Sequence, residues 1–180
     1  MGFERVGGKT VYEGRIATVR VDRFRYDDGQ EAEREIVEHP GAVAVVAHDG
    51  ERLYLVRQPR EAVGEEALLE LPAGKLDEEG ESALETAKRE LAEEIGKGAR
   101  RWQHLTSFYT SPGFAAEEVQ LFQATDLFDE AGVPGEEERI EVEAVPLERL
   151  DEVIADCRDS KSLVGLLWFR AFAGAGPSRG

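Results

Sequence analysis

The stretch "ELPAGKLDEEGESALETAKRELAEEIGKG", residues 70–98, joins a helix pattern to an unusual density of carboxylates. Leu84, Ala87, Leu91 and Ile95 recur at three- and four-residue spacing and Gly96 supplies a stop, which predicts an amphipathic helix over 82–95. At 3.6 residues per turn, Glu90 and Glu94 point about 40° apart and Glu93 lies about 60° to the other side of Glu90. All three fall on the shoulder between the apolar stripe and solvent. Like charges at such spacing destabilise a helix, so the cluster is either a solvated face or is offset by bound cations. As hard oxygen ligands these side chains suit Mg²⁺ or Mn²⁺. Arg89 is placed to pair with Glu93, and Glu85 with Arg89. The Pro72-Ala73-Gly74 turn and the glycine-bearing loop before the helix let backbone groups approach the same shoulder.

Outward from this segment, "ATVRVDRFRY", the turn "YDDGQ" and "EAEREIVEH" alternate as a hairpin or meander, with Val19 and Val21 on one face. "GAVAVVAHDGERLYLVRQ" reads as two strands joined at Asp49-Gly50. Its near-continuous apolar run over 42–47 predicts a strand buried on both faces, in the middle of a sheet. A short strand "ALLEL" leads into the Pro-Ala-Gly turn. Beyond the central helix, "RRWQHLTSFYT", "EVQLFQATDL" and "RIEVEAVPL" predict three more strands. Helices over 147–157 and 160–173 follow, the second presenting Leu163, Leu166, Leu167 and Phe169 to a core. The expected fold class is α/β (α+β): a mixed β-sheet sandwiched between helices, with an N-terminal antiparallel β-strand extension.

The 180-residue chain carries 38 acidic against 22 basic side chains, a formal net charge of −16. This balance repels phosphate backbones and anionic lipid, and argues against extended contact with nucleic acid or membrane. An anionic substrate would need local cations, either arginines aimed into a cleft or a bound metal. The length suits a β-strand extension over 1–40, a principal domain over 41–174 and a disordered tail at 175–180. Cys157 is the one cysteine and reads as a packing residue. With no signal-like apolar run at the N-terminus and no stretch near the ~20 apolar residues of a membrane span, the expected location is cytoplasmic. His39, His48 and His104 show no paired spacing and read as structural or surface residues.

The segment 74–97 resembles the signature of the Nudix hydrolase family. Gly74 opens it, Glu81 is its first glutamate, and "RELAEEIG" from Arg89 to Gly96 matches residue by residue. Two departures stand out: one extra residue lies between Gly74 and Glu81, and Lys97 holds the final apolar position. The extra residue falls in the loop and leaves the spacing from Glu81 to Gly96 intact. The resemblance implies metal-dependent hydrolysis of a nucleoside diphosphate linked to another moiety. It makes Glu90 and Glu94 the principal ligands of Mg²⁺, with Mn²⁺ as the alternative. Glu93 assists, and the Ala73 carbonyl completes the set. Gly74, Glu81, Arg89 and Gly96 are structural parts of the motif.

"REIVEHPGAVAVV", "LVRQPR", "LELPAGKLD", "YTSPGF" and "KSLVGLL" together resemble the ADP-ribose pyrophosphatase branch, for which Pro112, fifteen positions after Lys97, is a marker. That implies ADP-ribose as substrate and AMP and ribose 5-phosphate as products. The alternatives are another sugar nucleotide or dinucleotide and, in a different class, a non-catalytic ADP-ribose-binding module. A diphosphate calls for bidentate guanidinium donors, and Arg34 and Arg60 stand near predicted strand ends. Adenine calls for a stacking surface, with Phe24, Tyr26, Phe108 and Phe114 as candidates near Pro112 and Gly113. The resemblance further implies a catalytic base in "GEEERIEV", Glu137 or Glu138, with Glu93 competing. It also implies a homodimer whose N-terminal strands help build each other's adenine pocket.

Overall fold

The computed structural model describes residues 1–133 and 139–172, and the chain divides into two compact units. One comprises residues 1–41 and 108–118. Its strands β1 (Phe3–Glu13), β2 (Thr18–Tyr26) and β3 (Glu31–Glu38) form an antiparallel sheet in that order. The turn after β2 closes through the Tyr26 N–H donating to the Gln30 carbonyl at 2.9 Å, with Gly29 at φ 80°. Residues 114–116 join β3: the Val37 N–H donates to the Phe114 carbonyl at 2.8 Å, and the Ala116 N–H donates to the Val37 carbonyl at 2.9 Å. The alternation was legible, but its apolar positions stay partly exposed. No apolar side chain of this unit is buried; its buried residues are Asp22 and Gly41. A sheet without a covered apolar face has little of its own to hold it.

The other unit takes residues 42–107 and those from 119 onward. It contains β4 (Ala42–His48), β5 (Arg52–Arg60), β6 (Glu65–Glu70), β7 (Ala73–Lys75), α1 (Ala83–Ile95), all but the last two residues of β8 (Lys97–Tyr109), all but the first residue of β9 (Glu118–Asp129), β10 (Glu141–Pro146), α2 (Leu150–Asp156) and α3 (Ser160–Phe172). The sheet runs β10-β5-β4-β9-β8, with β6 paired to β5 and β7 to β4. It is mixed: β4 and β9 are parallel, whereas β5 is antiparallel to β4, β6 and β10. β4 is central and its six residues 42–47 are all buried, as the apolar run predicts. Side chains alternate across a strand. Val43, Val45 and Ala47 therefore pack with Ala87, Leu91 and Ile95 of α1, while Val46 and His48 meet Gly165 and Phe169 of α3 on the opposite face.

Three local expectations are corrected. Residues 73–75 are a strand rather than only a turn, because Ala73 and Gly74 pair with Ala44 and Val43 of β4. Leu167 is 48% exposed, because the buried face of α3 is Ser162, Gly165, Leu166 and Phe169 at helical spacing. Arg34 stands in the middle of β3, not at a strand end, whereas Arg60 does end β5. Residues 137, 138 and 175–180, assigned above to a base loop and a tail, lie outside the described residues.

Candidate functional site

Helix α1 begins with a reciprocal cap. The Ser82 hydroxyl accepts the Glu85 N–H at 3.3 Å, and the Glu85 carboxylate accepts the Ser82 N–H at 2.8 Å. Glu85 is thus a capping residue rather than the expected partner of Arg89. Gly96, at φ 65°, ends the helix in the left-handed region. The start is fixed by hydrogen bonds and the rotation by Ala87, Leu91 and Ile95 in the core. That rotation leaves Glu90 8% and Glu94 7% exposed on the shoulder, with Glu93 half-buried.

Arg89 organises the acids. Its Nε and Nη2 donate to the two oxygens of Glu81 at 3.2 and 3.1 Å, and its Nη1 donates to Glu90 and Glu93, both at 2.9 Å. Thr86 adds a hydroxyl bond to Glu81 at 2.9 Å. The hydrogen bond from Arg89 holds the Glu81 carboxyl below its usual range, and Glu81 in turn raises the Arg89 pKa. The loop residue inserted after Gly74 therefore does not prevent Glu81 from bracing the helix. Lys97 pairs with Asp129 at 2.5 Å and lies 5.8 Å from the centre of the Tyr54 ring. Its ammonium group thus stands at cation–π distance from the ring in the position where the signature has an apolar side chain.

The β7 backbone forms the other wall. The Ala73 N–H donates to Glu94 at 3.0 Å. At Gly74 an added Cβ would lie 1.9 Å from a Glu90 carboxylate oxygen, so only glycine lets that carboxylate rest against the strand. A second group adjoins it: Glu70, 1% exposed, accepts Arg60 Nε and Nη2 at 2.6 and 2.8 Å and pairs with Lys161. Burial pushes the Glu70 carboxyl up, but the Arg60 and Lys161 partners outweigh it and hold the group ionised. Sequence reading did not single out Glu70, Asp159, Lys161 or Ser162. The available signals were the Asp159-to-Ser162 capping pattern and the "KSLVGLL" segment.

The donor set fits a divalent cation. Glu81, Glu90 and Glu93 face the single guanidinium of Arg89 and Glu94 faces the Ala73 N–H, leaving three formal negative charges on hard oxygen donors. As arranged, the acids are turned onto Arg89 and the Ala73 N–H, and among the described residues no group of three or more His, Cys, Asp or Glu side chains forms a ready metal cluster. A cation would exchange with Arg89 for Glu90 and Glu93.

In the N-terminal unit, Phe24, Arg34, Pro112 and Gly113 line one cavity of about 400 Å³ together with Phe3, Tyr26, Tyr109 and Phe114. Arg34 donates from Nη2 to the Tyr26 hydroxyl at 3.0 Å. Phe108, the other aromatic candidate, does not line it. Each histidine has a local role. His39 Nδ1 accepts the Gly41 N–H at 3.1 Å, His48 Nε2 lies 2.7 Å from Gln123, and His104 Nε2 lies 3.1 Å from Ser107.

A mixed sheet between two helices, with an arginine-clasped acidic shoulder facing a glycine strand, defines a hydrolase of the Nudix class. The NUDIX domain family model matches residues 37–164, and the chain belongs to the Nudix family. Family members generally use divalent metal ions. The chain is 41% identical over 146 residues to an ADP-ribose pyrophosphatase of Bacillus subtilis, covering 79% of this chain and 78% of that one. It is 38% identical over 175 residues to a methanol dehydrogenase activator of Bacillus methanolicus, covering 93% and 94%. A solved structure described as an ADP compounds hydrolase superposes with a TM-score of 0.85 at 25% identity, covering 98% of this chain and 97% of that one. No helix among the described residues is long and apolar enough to cross a membrane.

Proposed function

We propose that this protein hydrolyses the diphosphate of ADP-ribose in the presence of Mg²⁺, giving AMP and ribose 5-phosphate. The observation that carries the chemistry is the pair of buried carboxylates, Glu90 and Glu94, held against the Ala73-Gly74 backbone. The pyrophosphatase relative supports the substrate. Glu90, Glu94 and the Ala73 carbonyl would hold the cation, with Glu93 assisting. A bound divalent ion supplies charge neutralisation at the diphosphate and a more acidic attacking water.

The chain's own groups do the rest. Arg60 holds diphosphate oxygens through guanidinium hydrogens that Glu70 does not use. Arg34 is the other guanidinium assigned to the diphosphate, and Phe24, Pro112 and Gly113, which line the same cavity, are assigned to the adenine ring, stacked on an aromatic face. Water attacks one phosphorus, the bond from that phosphorus to the bridging oxygen breaks, and the water's proton passes to a glutamate. Glu137 or Glu138 is favoured for that proton, with Glu93 as competitor. The working form is a cytoplasmic homodimer. The dimer reading is supported by Phe3, Val11, Tyr12 and Ile16, all exposed on a unit with no buried apolar side chain.

A second reading, hydrolysis of another nucleoside diphosphate compound, is favoured by the neighbour described as an ADP compounds hydrolase. Product analysis decides between them: ADP-ribose with Mg²⁺, an EDTA control, and parallel reactions on ADP-glucose, NADH and diadenosine polyphosphates. Metal-dependent AMP and ribose 5-phosphate, formed faster than nucleotide from the other compounds, is the expected result. Preference for another compound overturns the substrate but keeps the helix chemistry. Binding of ADP-ribose without turnover of any compound would identify a non-catalytic binding module instead.

A further inference from the structure

The N-terminal turn of α3 grips the segment that leads into the site. Asp159 caps the helix: its Oδ2 accepts the Ser162 N–H at 2.9 Å and the Ser162 hydroxyl at 2.5 Å. The Ser162 Oγ also accepts the Leu71 N–H at 2.7 Å. Lys161 Nζ reaches Asp159 at 3.0 Å and pairs with Glu70 Oε2. Gly165, one turn on, lets the helix close on the same place, since a Cβ there would lie 2.4 Å from Leu71 Cδ1. Residues 70 and 71 are thus held by side chain and by backbone, just before Ala73 meets Glu94.

The two cations on Glu70 are not equivalent. The Lys161 side chain is 15% exposed, whereas that of Arg60 is 42% exposed. Glu70 uses one hydrogen each of Arg60 Nε and Nη2. The two on Nη1 and the second on Nη2 are left to face a ligand. Arg60 already spans both Glu70 oxygens. Without Lys161 it would be the sole cation on a carboxylate removed from water, and that carboxylate would lose its tie to the α3 cap and with it the fixed orientation that aims the guanidinium.

We infer that Lys161 is a positioning residue for substrate binding: through Glu70 it fixes the Arg60 guanidinium as a preformed anion clamp. The inference rests on assigning Arg60 to the diphosphate. The test is steady-state kinetics on ADP-ribose, or on whichever panel compound the wild type hydrolyses fastest. Lys161→Met is expected to raise KM about tenfold with kcat within about threefold, the scale of one charge-assisted hydrogen bond, and Lys161→Arg to restore most of it. If Lys161→Met folds poorly, Glu70→Gln with Lys161→Met leaves no uncompensated buried charge and carries the same KM expectation. In an Arg60→Gln background, Lys161→Met is expected to add no further rise in KM, because the two act on one contact. Loss of thermal stability with a wild-type KM, in Lys161→Met or in the double variant Glu70→Gln with Lys161→Met, overturns the inference. Should Arg60→Gln raise KM and Lys161→Met not, the inference alone fails. An unchanged KM in Arg60→Gln removes the Arg60 assignment and this inference with it.

Discussion

Asp22 in the N-terminal unit and Glu70 in the seven-stranded unit are both buried carboxylates set between two cations. Asp22 receives Arg5 and Arg20, and Glu70 receives Arg60 and Lys161. In both, burial pushes the pKa up and the cationic partners bring it below the ordinary value. Around Asp22 the network closes on itself: Arg20 donates to Asp22 and, at 2.6 Å, to Glu38, so its fork is taken up within the sheet. Around Glu70 the scaffold differs. A helix cap holds one cation, the end of β5 holds the other, and the backbone of residues 70 and 71 is tied down. The same ionic chemistry is a cross-strand clamp in one unit and a candidate ligand grip in the other. Packing, not the ion pair, makes that difference.

The sharpest way to break the comparison is to neutralise the site without disturbing its scaffold. Glu94→Gln keeps an acceptor for the Ala73 N–H, so it should lower kcat by about 10³-fold with little change in thermal midpoint. Near-wild-type turnover would reduce the buried acids to packing.

The N-terminal unit should respond in the opposite sense, through assembly rather than chemistry. Tyr12→Asp combined with Ile16→Asp is expected to weaken self-association by about tenfold or more in analytical ultracentrifugation, by charging exposed apolar surface. A wild type that sediments as a monomer at micromolar concentration would show that the sheet needs no second copy.

The smallest effect concerns His48, whose ring packs against Phe169 with centroids 4.9 Å apart. Burial lowers its pKa. The folded value thus lies below the unfolded value of about 6.5, and the unfolded chain takes up the proton more readily. The stability it contributes is complete above that pH and is lost as pH falls through the folded value. Between about pH 7.5 and 5.5 the wild-type midpoint should therefore drop about 1–3 °C more than that of His48→Gln, measured by thermal unfolding.

Much of the seven-stranded unit was legible because its signals are local and periodic. The run over 42–47 has no polar residue to offer solvent, so it had to be central. The stripe Ala87, Leu91 and Ile95 fixes the rotation of α1 and hence where Glu90, Glu93 and Glu94 stand. The exposure of Leu167 was not legible, since α3 is apolar on more than one face and only Gly165 meeting Leu71 chooses the face that packs. Nor was the role of Glu85, because capping Ser82 and pairing with Arg89 are both within its reach.

The sequence by itself determined the class of this protein through the resemblance of residues 74–97 to the Nudix signature, while helical geometry alone placed Glu90, Glu93 and Glu94 on one shoulder of α1. Tertiary structure decided which ions are buried, which backbone touches Glu90 and which cation faces outward from Glu70. Those contacts join β5, β6, β7, α1 and the cap of α3, elements up to 91 residues apart in the chain. No short-range pattern encodes such meetings, because they depend on how the sheet and both helices pack.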